Sequence, residues 1–114
     1  MSTIKNRVIL IGNVGNKTAL KTLESGKAVT RIALATNDSY KDGKGQRKNE
    51  TQWHNLVIWG KQAEQAEKHL IKGTEVAVEG KLINRNYTNK DGIKRYFTEI
   101  VVSKFNLVGS TIQL

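Results

Sequence analysis

Only one stretch of this chain, Lys61 to Leu70, carries apolar residues at helical spacing; the other apolar segments are short runs rich in β-branched and aromatic residues. Ala63, Ala66 and Leu70 fall at i, i+3 and i+7, Glu64 and Lys68 form an exposed i, i+4 pair, and Gly73 supplies a stop. The remaining elements read as strands. Arg7 to Ile11 is a strand buried on both sides and closed by Gly12 and Gly15, and Leu20 to Leu23 continues it to a turn at Ser25-Gly26. Val29 to Thr36 follows, with Ile32 and Leu34 on one face and Val29, Ala33 and Ala35 on the other. Asn37 to Asn49 is polar, with turn signals at Asp42-Gly43 and Gly45. Thr51 to Trp59 alternates clearly: Trp53, Val57 and Trp59 share one face, Leu56 and Ile58 the other, with His54 beside them. Thr74 to Arg85 carries Val76, Val78 and Leu82 on one side, and Asn89-Lys90-Asp91-Gly92 turns the chain into a last strand from Arg95 to Val108.

Three strands, a short helix and two more strands leave a small antiparallel sheet that must pair or hide its edges. Closing it into a barrel, with the helix plugging one end, does both. The expected fold is therefore all-β: a five-stranded oligonucleotide/oligosaccharide-binding (OB) barrel with one short helix between strands 3 and 4. A generic α+β sheet is the alternative. At 114 residues there is room for one domain, taken as residues 1–109 with a short C-terminal extension at 110–114. No internal repeat and no interdomain linker is visible.

Charge narrows the partner. Nineteen Lys and Arg against ten Asp and Glu give a formal charge of +9, which suits nucleic acid, an anionic membrane surface or an acidic protein. No apolar run approaches the ~20 residues that span a bilayer, and the N-terminus has no signal-peptide hydrophobic region, so no membrane partner and a cytoplasmic location are expected. Cysteine is absent, which excludes disulfides and thiolate ligands. His54 and His69 lie on different elements, and Gly43-Lys44-Gly45 lacks the upstream glycine of a phosphate-binding loop. Asp38, Asp42 and Glu50 read as solvated ion-pair partners among lysines rather than a Mg²⁺ site. No catalytic residue, metal or cofactor is expected.

Basic and aromatic residues interleave in two places. Tyr40, Lys41, Lys44, Arg47 and Lys48 precede Trp53 and Trp59; Lys81, Arg85, Tyr87, Lys90, Lys94, Arg95 and Tyr96 form the second group. Unpaired bases stack on Trp or Tyr at ~1–3 kcal/mol each whatever their identity, while Lys and Arg neutralise phosphates and release counterions. The mixture suits single strands. His54 is either a satisfied core-edge histidine or part of a subunit interface.

Over nearly all its length the chain resembles the bacterial single-stranded DNA-binding protein family. The matching segments are Asn6 to Gly15, Trp53 to Lys61 with Ala63-Glu64, Lys72 to Leu82, Arg95-Tyr96, and Thr98 to Ile100. The resemblance implies an OB barrel that assembles as a homotetramer and wraps single-stranded DNA in replication, recombination and repair, in the bacterial cytoplasm with the nucleoid. It matches the family's stacking aromatics to Tyr40, Trp53, Trp59 and Tyr87, and the interface histidine to His54. Two positions often Trp in the family are Tyr here, Tyr40 and Tyr87, and one often Phe is Trp59. Asn16-Lys17-Thr18 replaces acidic residues that commonly follow the first strand. The acidic tail that recruits replication and repair proteins has no counterpart in this sequence, which leaves recruitment in doubt. Lys5, Arg7, Lys41, Lys48, Lys61, Lys81, Arg85 and Arg95 are the candidate phosphate contacts. RNA binding and a purely protein-assembly role are the competing functions.

Overall fold

Alternation places Ile32, Leu34, Leu56, Ile58, Val76, Val78, Ile100 and Val102 in one buried cluster, and that cluster is the inside of a barrel. The computed structural model describes residues 5–108. Its elements are β1 (Val8–Lys17), β2 (Lys21–Thr22), β3 (Ala28–Lys41), β4 (Arg47–Trp59), α1 (Lys61–His69), β5 (Glu75–Thr88) and β6 (Lys94–Leu107). The strand order β1-β5-β6-β4-β3 closes on itself because β1 also pairs with β3, and the two-residue β2 is appended to β3 outside the ring. The ring thus has five strands, antiparallel throughout except where β4 meets β6 in parallel. It is the OB barrel expected, with the helix between the third and fourth ring strands. The domain limits at 109 and the 110–114 extension lie outside the described residues.

Ala63, Ala66 and Leu70 are fully buried in the core cluster, so α1 does plug the barrel. Gly60 enters the helix at φ 71°, and its N–H donates to the Ala28 carbonyl, fixing the helix start to β3. The helix stops at His69 with Leu70 as its C-cap. Gly73 is not the stop: at φ 95° it returns the chain to β1, its N–H donating to the Val14 carbonyl at 2.7 Å.

Three strand readings change. β1 runs through Gly12 and Gly15 instead of ending there, and Ile9 and Ile11 are exposed because the outer wall of the barrel has no second layer. Gly12 sits where β1 transfers from β5 to β3, so close to the Ala35 carbonyl that a Cβ would collide with it. Second, Asn37 to Asn49 is not a polar loop. β3 extends to Lys41 and β4 begins at Arg47, so most of it is a two-stranded ladder standing clear of the barrel, with both faces wet. Third, Leu82 is 40% exposed. The register shifts between Glu79 and Gly80, and the strand leaves the core there. The projecting ladders give a radius of gyration of 16.5 Å, against about 13 Å for a compact domain of this length.

Candidate nucleic-acid interface

Residues directly opposite in an antiparallel ladder share a face. Val29, Arg31, Ala33 and Ala35 of β3 face Trp59, Val57, Asn55 and Trp53 of β4, and the interleaved pairs Ile32–Leu56 and Leu34–His54 point the other way, to the core. Trp53 and Trp59 are therefore on the outer wall, as their alternation predicted. Trp53 is 62% exposed and rests against β1 at Gly15, where a Cβ would stand 2.5 Å from the indole. Glycine is what lets the ring close onto that strand. Trp59 is half-buried at the end of β4.

Tyr40 and Tyr87 lie on the projecting ladders, each about half exposed. Tyr40 is opposite Lys48, on the face of the first ladder that continues the core side and not the tryptophan side. Tyr87 is opposite Arg95 and meets Phe97 edge-on, with ring centroids 5.9 Å apart. A groove of about 640 Å³ brings Tyr87, Arg95 and Tyr96 from the second ladder against Arg31 and Asn55 of the barrel wall. Trp53 borders a smaller hollow of about 180 Å³ with His54, Leu82 and Thr98. The four rings are not one patch: Tyr87 occupies the groove, Trp53 the adjoining wall, Trp59 the end of β4 and Tyr40 the opposite face of its ladder.

The nominated cations divide into two sets. Arg7 is held by Glu79 through two hydrogen bonds of 3.1 and 3.2 Å, and Lys104 lies 3.7 Å from the same carboxylate. The Arg7 hydrogen bond holds the Glu79 carboxyl below the usual carboxylate range, its charge and that of Lys104 acting the same way. Arg85 donates to Glu99 at 2.9 Å. Lys5, Lys41, Lys48, Lys61, Lys81 and Arg95 are exposed and form no ion pair among the described residues.

His54 is half-buried on the core side, its Nε2 2.9 Å from the Thr36 hydroxyl. Asp42 is a turn residue that forms no ion pair among the described residues: its carboxylate accepts the amides of Lys44 and Gln46 at 2.8 and 2.9 Å. Tyr96, which the sequence places in the second basic and aromatic group without a stacking role, is 72% exposed and adds a ring beside Arg95. One residue escaped the sequence reading altogether. Arg31 is the one charged residue on the outward positions of an otherwise apolar strand segment, and that isolation was the available signal.

The family model described as the single-strand binding protein family matches residues 5–108. The chain belongs to that family. It is 42% identical over 104 residues to the single-stranded DNA-binding protein of Xanthomonas campestris pv. campestris, covering 91% of this chain and 60% of that protein. A Xanthomonas axonopodis pv. citri protein of the same description is also 42% identical, with 58% of its length covered. The chain thus spans a little under two thirds of these relatives. Among solved structures, a Plasmodium falciparum SSB complex with ssDNA superposes with a TM-score of 0.80 at 31% identity, over 95% of this chain and 96% of that one. A deletion mutant of the Thermus aquaticus single-stranded DNA binding protein also gives 0.80, at 28% identity, over 94% of this chain and 52% of that one.

Proposed function

We propose that this chain binds single-stranded DNA without sequence preference and protects it during replication, recombination and repair in the bacterial cytoplasm, without catalysis. The observation that carries the reading is the exposure of Trp53, Tyr40 and Tyr87 at 50–62% on a basic barrel wall and its ladders. Large aromatics left this open are unusual for a small domain, and each offers a flat face to an unstacked base. Lys41, Lys48, Lys61, Lys81 and Arg95, uncompensated among the described residues, supply the phosphate contacts, with Lys5 extending them. Arg7 contributes less, because Glu79 already engages two of its nitrogens, whereas Arg85 is held through its Nε alone. Trp53 is the principal stacking ring, with Tyr87, Trp59 and Tyr40 beside it. Trp53→Ala lowers affinity for oligo-dT by ~1–3 kcal/mol, equally for mixed-sequence oligomers, in a fluorescence titration checked by circular dichroism. An intact fold with unchanged affinity sinks the assignment.

The binding unit is a homo-oligomer, a tetramer. Among the described residues Val8 to Ile11 pair with β5 alone, and the exposed Ile9 and Ile11 make that stretch apolar; such an edge is self-complementary across a two-fold axis. His54 joins an interface through the ring atoms its Thr36 contact leaves free. Sedimentation with and without a dT oligomer gives a species of four chains; a monomer at micromolar concentration overturns this part.

A further inference from the structure

Glu99 is buried at 3% exposure, yet it is bound by two arginines that are each about half exposed. Its Oε2 accepts from Arg31 Nε at 3.1 Å and its Oε1 from Arg85 Nε at 2.9 Å. Each guanidinium is gripped by its Nε, and the terminal amino groups have no hydrogen-bond partner among the described residues. One carboxylate between two guanidiniums leaves a full positive charge uncancelled. Arg31 is fixed at the backbone too: its N–H donates to the Thr18 hydroxyl at 3.1 Å, and its carbonyl accepts the Thr18 N–H at 2.8 Å. Arg31 and Glu99 both line the groove that holds Tyr87 and Arg95.

We propose that Arg31 is a phosphodiester-binding residue of this groove, that Glu99 is its positioning residue, and that Arg85 keeps the buried carboxylate from cancelling Arg31's charge. The inference rests on the single-strand binding proposed above and adds a contact to it. A planar guanidinium held by one nitrogen presents its other two as a preorganised fork for two phosphate oxygens, which a lysine cannot reproduce. The neighbouring Tyr87 ring receives the base attached to the same backbone.

Titration of the full chain with oligo-dT across a salt series tests this. Arg31→Gln lowers affinity several-fold and flattens the slope of log K against log salt by about 0.7, the value for one phosphate contact on a single strand. Arg31→Lys restores the slope but not the affinity. Glu99→Gln gives the deciding sign: a carboxylate acting only as a negative charge near the ligand would make its removal tighten binding, whereas a positioning carboxylate makes it weaken. A folded Arg31→Gln protein with unchanged affinity and slope overturns the proposal, as does full rescue of affinity by lysine or tighter binding by Glu99→Gln. If Glu99→Gln fails to fold, the two Arg31 variants, whose side chain is half exposed, still decide. Failure of the unaltered chain to bind dT at low salt would instead sink the function proposed above.

Discussion

The β3–β4 and β5–β6 ladders project from one barrel as two versions of the same object, forty-seven positions apart in the chain. Each has five cross-strand pairs, Asn37–Thr51 to Lys41–Arg47 in the first and Asn84–Thr98 to Thr88–Lys94 in the second. The bases carry the same side-chain bond, Thr51 to Asn37 at 2.7 Å and Thr98 to Asn84 at 2.9 Å. Both tips use one turn. Asp42 and Asn89 each accept the amides two and four residues on, and Gly45 and Gly92 take φ of 79° and 78°. Even the working pair repeats: Tyr40 faces Lys48, and Tyr87 faces Arg95.

What differs is the next pair toward the barrel on that same face. In the first ladder it is Asp38 opposite Glu50, two carboxylates; in the second it is Arg85 opposite Phe97. One tyrosine thus looks onto negative charge, the other onto a cation and a second ring. Equal scaffolds need not bind equally; a single cross-strand pair sets the potential that an approaching phosphate meets.

Substitutions can break this comparison. Tyr87→Ala costs ~1–3 kcal/mol of oligo-dT affinity, and Tyr40→Ala less than half as much; equal losses in parallel titrations would mean that the acidic pair is irrelevant. A smaller effect sharpens the same point. Asp38→Asn combined with Glu50→Gln removes a like-charge pair worth roughly 0.2–1 kcal/mol of stability. It raises both the melting temperature and dT affinity, with the affinity gain fading at high salt as Coulomb effects are screened. Weaker binding by the double variant would reverse the reading of the first ladder.

The parts of the fold that could be read from sequence are those where burial writes a pattern. Ile32, Leu34, Leu56, Ile58, Val76 and Val78 alternate because one side of each strand is core, and Ala63, Ala66 and Leu70 mark the plug for the same reason. Beyond Thr36 that signal stops, since both faces of a free ladder are in water; backbone pairing continues through Tyr40 with no hydropathy to announce it. The relation between the two ladders escaped notice likewise, because the shared residues are turn and cross-strand residues scattered among charges. Ile9 and Ile11 misled in the opposite direction: an unbroken apolar run resembles a strand covered on both sides, but here one side is open. The site was partly legible. Trp53 and Trp59 fell on the outer wall by simple alternation, whereas the pairing of Arg31 with Glu99 joins residues far apart in the chain and only the closed barrel brings them together.

The free-standing ladders have a consequence for how much polymer one subunit can cover. Each added rung lengthens a ladder by about 3.4 Å and inserts two wet residues, with no core side chain disturbed. Reach can thereby change without repacking the core, while single cross-strand pairs in the ladder adjust stability only by small amounts. Natural variation can reset the length of strand occluded per protomer by inserting or deleting pairs between Asn37 and Thr51, or between Asn84 and Thr98, while the packed interior stays as it is.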